Sequence, residues 1–271
     1  MARPSIAAAL RAPAIEAGEA RALLRAVLRV DEAHLAAHPE RKLTPEEDQR
    51  FAAWLRRRRA GEPVAYITGE REFWSLPFKV TPAVLIPRPE TELLVELALE
   101  RVAPDAPARV LDLGTGCGCI AVAVAKHRPH ARVTAADFSP AALAIARENA
   151  ARHGASVELA ESNWLAALAA RRFDLIVANP PYVADGDPHL AQGDVRFEPR
   201  AALVGGGDGL DSIRRIVAGA RAQLERGGAL YFEHGHDQAA RCRALLLEHG
   251  YQDVASRRDL AGIERVSGGR V

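Results

Sequence analysis

Arg109-Val110-Leu111-Asp112-Leu113-Gly114-Thr115-Gly116-Cys117-Gly118 is the stretch that decides the fold of this chain. Its first five residues form a short apolar run, the length and composition of a buried strand. Three glycines at alternate positions follow, and Ile120 to Lys126 then has the pattern of a helix. Glycines at a strand-to-helix turn permit a tight bend and let a ligand approach the backbone closely. Downstream, Arg132-Val133-Thr134-Ala135-Ala136 is a second strand, and Pro140 to Arg152 is a helix with Leu143 and Ile145 on its apolar side. Val157-Glu158-Leu159 is a third strand and Phe173 to Ala178 a fourth. A helix over Ser212 to Leu224, a fifth strand over Gly228 to Glu233, a helix from Gln238 to Glu248 and two closing strands complete the pattern. Such alternation predicts a parallel α/β sheet joined by right-handed crossovers.

The glycine loop and the second strand end suggest a nucleoside. Asp137 lies nineteen residues past Gly118, where an acidic residue can hold both ribose hydroxyls. A dinucleotide site shares this logic, but three details disfavour it. The spacing is Gly-x-Gly-x-Gly, without the Gly-x-x-Gly that seats a helix on pyrophosphate. Asp112, just before the turn, suits a cation better than a phosphate. The fourth strand ends in Asn179-Pro180-Pro181-Tyr182. Together they favour S-adenosyl-L-methionine, which carries a sulfonium and an ammonium but no phosphate.

Asn179 to Tyr182 forms a stiff exit from the fourth strand. The two prolines have φ fixed near about −65° and donate no backbone hydrogen bond, and Asn179 before proline is pushed to an extended conformation. The Asn179 side-chain carbonyl and the Pro180 main-chain carbonyl are two acceptors, and Tyr182 offers a flat face. That set suits a planar nitrogen with two hydrogens, either an amide or an exocyclic base amine. A bare Pro-Pro-Tyr is more often a simple turn; the glycine loop upstream makes the functional reading the better one.

Residues 1–70 look all-helical. Leu23, Leu24, Val27 and Leu28 make an apolar stripe, and Asp31 can cap a short helix containing Leu35. Thr44-Pro45-Glu46-Glu47 has capping threonine, proline at the first helical position and glutamate at the third. Phe51, Trp54 and Leu55 follow as that helix's buried face, with Gly61 able to end it. The run Arg56 to Arg59 complements the helix dipole and is expected to face water. Phe73 to Val80 is aromatic and β-prone, predicting a hairpin linker with its turn at Ser75 to Pro77. Pro104 to Pro107 is a natural connector.

With 271 residues, 48% of them hydrophobic, the chain can bury a real core. A formal net charge of +1 demands no polyanionic partner. Three cysteines fit a reducing compartment better than a disulfide framework. The start, Met1 to Ile6, has no continuous apolar region, so no leader is expected, nor is a membrane span. The expectation is a cytoplasmic monomer.

The combined motifs resemble the HemK/PrmC family, the release factor glutamine methyltransferases. The resemblance spans essentially the whole chain. It rests on Ala65-Tyr66-Ile67-Thr68-Gly69-Glu70-Arg71-Glu72-Phe73-Trp74, Ile86-Pro87-Arg88-Pro89-Glu90-Thr91-Glu92, the Asp112 to Gly118 loop, Asn179 to Tyr182, and Gln192-Gly193-Asp194-Val195-Arg196-Phe197-Glu198-Pro199. Asn-Pro-Pro-Tyr alone is shared with amino-methyltransferases of nucleic acids. The family implies a class I, Rossmann-like seven-stranded methyltransferase sheet over 91–271, a small all-helical substrate-recognition domain over 1–70 and a β-hairpin linker over 71–90. It implies methyl transfer to the side-chain nitrogen of the glutamine in the Gly-Gly-Gln motif of class I peptide chain release factors. By the same resemblance Gly114, Thr115, Gly116, Cys117, Gly118 and Asp137 hold the cofactor, Trp164 lies against its adenine, and Asn179 touches cofactor and substrate. Pro180, Pro181 and Tyr182 line the glutamine pocket. Two departures stand out: Asn163 occupies a position that is usually acidic, and Cys117 and Cys119 replace other small residues, to which we assign no chemistry of their own.

The chemistry asks mainly for geometry: an amide nitrogen held roughly 3–3.5 Å from the methyl carbon, by acceptors that bind more strongly as the nitrogen becomes positive. No general base is needed. His234 and His236 flank Gly235 beside Glu233 but lack a third ligand, so no metal site is expected and a loop or surface role fits them better. Arg88, between two prolines, is either near the active site or in a salt bridge. Residues 183–207 form a connector long enough to suggest a loop that orders over substrate. Competing functions are glutamine methylation of a ribosomal protein, adenine N6 methylation and a non-catalytic scaffold. Near-neutral charge and the lack of a target-recognition domain argue against nucleic acid as substrate.

Overall fold

Thr44 accepts from the Glu47 backbone N–H at 3.2 Å, while the Glu47 carboxylate accepts from the Thr44 N–H at 2.9 Å. This reciprocal cap starts α4 (Pro45–Arg59), the longest helix that the computed structural model describes in the N-terminal part. Residues 3–11 and 15–271 are described; Met1 and Ala2, part of the start read above, lie outside them. Before α4 come α1 (Ile6–Leu10), α2 (Ala17–Leu28) and α3 (Glu32–Ala37), and after it α5 (Val64–Thr68). Ile6, Leu23, Leu24, Val27, Leu35, Leu43, Phe51 and Ile67 form their common core, with Trp54 and Leu55 packed on it half-buried.

The chain divides into two compact units, Met1–Glu70 with Ala191–Phe197, and Arg71–Leu190 with Glu198–Val271. Within the first, Arg56, Arg57 and Arg59 of the arginine run face water as expected, and Arg58 alone departs from that face. Arg58 donates to both Glu19 carboxylate oxygens (2.8 and 2.6 Å) and to Asp194 (2.7 Å), with its side chain 16% exposed. Arg57 donates to Glu62 at 2.5 and 2.7 Å. Arg58 is an anchor because Glu19 and Asp194, both distant in sequence, fold onto it.

A hairpin follows, β1 (Glu70–Phe73) and β2 (Leu76–Lys79), all of it but Glu70 in the second unit. Its turn is at Trp74 and Ser75, not at Ser75 to Pro77. Both turn residues have left-handed φ, +53° and +56°, the geometry that matches the twist of a two-residue loop. The Trp74 N–H donates to Glu92 at 2.8 Å and its ring meets His127 edge-on at 6.0 Å. Those contacts hold a conformation that neither residue favours by itself.

Then follow α6 (Glu92–Arg101), β3 (Arg109–Leu113), α7 (Cys119–His127), β4 (Arg132–Asp137), α8 (Pro140–Arg152), β5 (Val157–Glu161), β6 (Phe173–Ala178), α9 (Asp211–Ala220), β7 (Leu224–Glu233), α10 (Ala239–Glu248), β8 (Gln252–Arg258) and β9 (Glu264–Arg270). Seven strands form one sheet in the order β5-β4-β3-β6-β7-β9-β8. The first five are parallel; β9 runs antiparallel to both β7 and β8. The closing pair departs from the parallel expectation because five residues connect it, too few for a crossover helix. Leu111, Leu113, Ile176, Leu230 and Phe232 pack with Ile213, Ile216, Val217 and Leu246 of α9 and α10. Cys119 to Ala125 of α7 are all buried, which explains a helix with little polar face. Among the described residues no helix is long and apolar enough to cross a membrane.

Candidate active site

The strand order reverses between β3 and β6, and open α/β sheets bind ligands at such a point. The register pairs Leu113 with Ala178, so Gly114 and Asn179 leave the sheet side by side. Sequence places the two motifs sixty-odd positions apart; the crossover makes them neighbours.

The loop after β3 is held by its own acceptors. Gly114 and Thr115 donate to the Ala136 carbonyl at 2.8 and 3.0 Å. Gly114, Gly116 and Gly118 all have positive φ, and a Cβ on Gly118 would lie 3.1 Å from Ala146 Cβ and 3.2 Å from its Cα. Glycine there lets the start of α7 close against α8. Asp137 accepts from Gly116 N–H and Ser139 N–H, both at 2.9 Å. Burial raises its pKa, and each oxygen keeps lone-pair capacity for a ligand hydroxyl. Asp112 lies fully buried beneath the loop, accepting from Thr115 at 2.6 Å and the Ala121 N–H at 3.2 Å through one oxygen. Its other oxygen has no hydrogen-bond partner, and burial pushes its pKa up to about 7.

A cavity of about 620 Å³ opens at this switch point. Gly114, Thr115, Gly116, Cys117, Asp137, Trp164, Asn179 and Pro181 line it; Gly118, Pro180 and Tyr182 do not. Its lining holds one charged residue, Asp137, and no lysine or arginine. Trp164, at φ +52°, brings its ring 3.4 Å from where a Gly114 Cβ would stand. The Ser162 hydroxyl donates to the Trp164 carbonyl at 2.7 Å and accepts from the Ala167 N–H at 3.1 Å, which secures that turn. Asn163 also lines the cavity.

Asn179 has one end tied and one end unpartnered. Its Nδ2 donates to Thr91 Oγ1 at 3.0 Å, while its buried Oδ1 has no partner. Thr91 in turn donates to Glu233 Oε2 at 2.7 Å, and the Tyr182 hydroxyl donates to Glu233 Oε1 at 3.0 Å. Glu233 ends β7 and is almost fully buried, and burial pushes its pKa up to about 7. Tyr182 thus spends its hydroxyl on Glu233. Its carbonyl accepts from Gln238 at 2.9 Å. Behind it, a Cβ on Gly209 would lie 2.3 Å from the Tyr182 oxygen, and one on Gly205 2.5 Å from the Pro181 oxygen. The 183–207 connector is pinned at its base by Val183 N–H to Leu203 O and Gly205 N–H to Val183 O, both 2.9 Å. Its returning arm lines the cavity through Pro199, Ala202 and Val204.

Other sequence candidates fall elsewhere. Arg88 donates to Glu198, whose side chain is fully buried and also accepts from the Ile86 N–H at 3.0 Å. This is the salt-bridge role. His234 is neither on the surface nor against the cavity. It is buried, with Nε2 2.8 Å from Ser267 Oγ and Nδ1 2.8 Å from the Gly235 carbonyl oxygen. Among the described residues no group of three or more His, Cys, Asp or Glu is arranged to hold a metal. The Cys119 thiol is pushed up by the Cys117 thiol beside it and by burial.

Sequence reasoning missed Thr91, Glu233, Gln238, Gly205 and Gly209. Glu233 had a usable signal, an acidic residue ending an apolar strand. Thr91 lies within the Ile86 to Glu92 segment, where its hydroxyl has no partner predictable from neighbouring residues. Gly205 and Gly209 gave none, since their contacts are with backbone brought close by the fold.

The Methyltransferase small domain model matches residues 90–208 and the PrmC N-terminal domain model residues 3–69. The release factor glutamine methyltransferase of Burkholderia pseudomallei is 52% identical over 279 residues, covering 99% of this chain and 98% of that protein. The protein of the same name from Bordetella pertussis is 53% identical over 258 residues, covering 95% and 96%. Among solved structures, a methyltransferase from Pyrococcus furiosus is similar with a TM-score of 0.56 and 18% identity, covering 81% of this chain and 98% of that one; it shares the fold.

Proposed function

The chain belongs to the release factor glutamine methyltransferase family, and from that premise we propose that it methylates N5 of the glutamine in the Gly-Gly-Gln motif of class I peptide chain release factors, with S-adenosyl-L-methionine as donor. The observation that carries this reading is that Asn179, a residue of the cavity lining, has a buried, unpartnered Oδ1 beside a fixed Nδ2. A buried acceptor without a partner is unfavourable by about 1–3 kcal/mol, and an amide N–H entering the cavity would satisfy it.

The residues present fit the donor. A cavity whose single charged lining residue is acidic suits a cationic nucleoside and not a pyrophosphate. Gly114 to Gly118 would face it with backbone, Asp137 would accept from ribose hydroxyls, and Trp164 would stack on the adenine. The unpartnered oxygen of Asp112 leaves a free acceptor beneath the loop. When bound, S-adenosylmethionine supplies an activated methyl group together with its leaving group.

The protein's part is orientation. Asn179 Oδ1 accepts one N–H of the glutamine amide and Pro181 shapes the wall beside it; Pro180 and Tyr182 stand behind that lining, and the Pro180 carbonyl is the acceptor we assign to the other N–H once substrate has entered. Both acceptors bind more strongly as positive charge develops on nitrogen. The methylated nitrogen loses its proton to water. Glu233 is given no part in that transfer, because it does not line the cavity. The helical unit and the 183–207 connector would select the release factor, and the protein would act as a cytoplasmic monomer.

The test offers purified protein with methyl-labelled donor to a release factor, a ribosomal protein and DNA in parallel, with mass spectrometry of the products. The expected product carries one methyl on the Gly-Gly-Gln glutamine. Label confined to the ribosomal protein or to DNA overturns the assignment. Asn179→Ala is expected to fold normally and lose at least about 100-fold in kcat; near-normal turnover would remove Asn179 from its role.

A further inference from the structure

We propose that Glu233 is a positioning residue that sets which end of the Asn179 amide faces the cavity, acting through Thr91. The inference rests on Asn179 being the amide acceptor, and it adds the reason why that side chain presents oxygen and not nitrogen. An asparagine amide is nearly symmetric in shape, so packing alone discriminates poorly between its two orientations. Direction has to come from a neighbour that can only accept or only donate.

Thr91 cannot supply it, since a hydroxyl does both. Glu233 can. As a carboxylate it only accepts, so both Thr91 and Tyr182 must point their protons at it. The Thr91 oxygen is then left as an acceptor towards Asn179 and Nδ2 must donate to it, which leaves Oδ1 as the free acceptor of a residue that lines the cavity. The chain of polarity runs Glu233, Thr91, Asn179, with separations of 2.7 and 3.0 Å. Reversing one link reverses the rest. A donor in place of a Glu233 oxygen frees the Thr91 proton to point at Asn179, which then exposes NH2 to a substrate that also presents NH2.

Protonation of Glu233 would loosen the same device. Burial raises its pKa, Glu90 adds to that effect, and Arg265 together with the Thr91 and Tyr182 hydroxyls opposes it. Arg88 and Arg265 are the cations acting on Tyr182. The neutral acid has one O–H, so the network loses its single direction.

Glu233→Gln keeps the shape and holds the network permanently in the neutral pattern. The expected result is a kcat at pH 8 reduced about 10- to 100-fold, with KM for release factor and Kd for S-adenosylhomocysteine within about 3-fold. Wild-type kcat should fall on the acid side of about pH 7, and the variant should lack that limb. Thr91→Val is expected to match Glu233→Gln, the double variant to be no worse than either single one, and Thr91→Ser to recover most of the loss. A readout independent of turnover is the side-chain amide signal of Asn179 in protein labelled with 15N-asparagine. Its contact with the Thr91 methyl should be present in wild type and weakened in Glu233→Gln. Variant kcat within 2-fold of wild type, an unchanged acid limb, or a loss confined to KM or cofactor affinity each overturns the proposal. If Asn179→Ala is inactive while Glu233→Gln is not, only this inference fails; if Asn179→Ala is active, the reading beneath it fails.

Discussion

Gly209 shows how one residue far from the chemistry can hold an active-site side chain. With φ at +77° and the Tyr182 carbonyl oxygen 2.3 Å from where a Cβ would stand, the position admits no side chain without movement of the Tyr182 backbone. An alanine would meet both a left-handed backbone penalty and a backbone clash, together about 3 kcal/mol. Gly209→Ala is therefore expected to lower the unfolding free energy read from urea titration by that amount and to reduce kcat, because Tyr182 carries one of the two hydrogen bonds to Glu233. A loss under about 1 kcal/mol would mean that the 205–209 segment relaxes freely. The Tyr182 hydroxyl matters for the same reason: burial raises its pKa and it serves as a fixed donor.

At the scale of elements, the C-terminal turn of α4 gathers a segment from elsewhere in the chain. Arg58 binds Glu19 of α2 and Asp194, and Arg196 donates to the Ala60 carbonyl at 3.3 Å with its guanidinium 5.0 Å from the Phe197 ring centre. These contacts group Ala191–Phe197 with the helices. Arg58→Ala removes charge-assisted bonds from a side chain that is 16% exposed. The local loss should be about 1 kcal/mol once solvent screening is allowed for. Hydrogen exchange should read this as several-fold faster exchange over residues 191–197, with little change in Arg56→Ala, whose side chain is exposed. Equal acceleration in both variants would mean that general charge, and not the Arg58 pairing, holds the segment. The β1–β2 hairpin makes a related point, since two residues with poor intrinsic preference adopt the turn because Glu92 and His127 engage Trp74.

For the whole molecule, pH should move stability and activity in opposite directions through Glu233. Burial lifts its pKa from an ordinary 4.5 to about 7. Between those values the folded protein keeps a proton that the unfolded chain has released. The group's contribution to stability is therefore full below about 4.5, is lost as pH rises towards 7, and is constant above. Subtracting the stability of Glu233→Gln from that of wild type should give a difference that declines with pH across this window. A difference that rises with pH would mean that the folded carboxylate is favoured and its pKa lowered. Asp112, also lifted to about 7, should act in the same sense in the absence of cofactor.

Local patterns determined much of this protein. Strands β3 and β6 and helix α8 have the limits that composition and capping residues predict, because apolar periodicity and Thr44- or Pro140-type start signals are properties of neighbouring residues. The glycine loop and the Asn179 to Tyr182 turn were legible for the same reason: each is a contiguous stretch whose chemistry follows from its own backbone limits. What only the tertiary structure decided is which groups face each other across the chain. The pairing of Leu113 with Ala178 sets the two motifs side by side. The meeting of Thr91, Tyr182 and Glu233 turns a carboxylate at a strand end into the reference for an amide's orientation. Arg58 became an anchor through Glu19 and Asp194. Hydrogen-bond direction, burial and close backbone approach depend on partners separated by tens of residues, and one-dimensional spacing carries no distance between them.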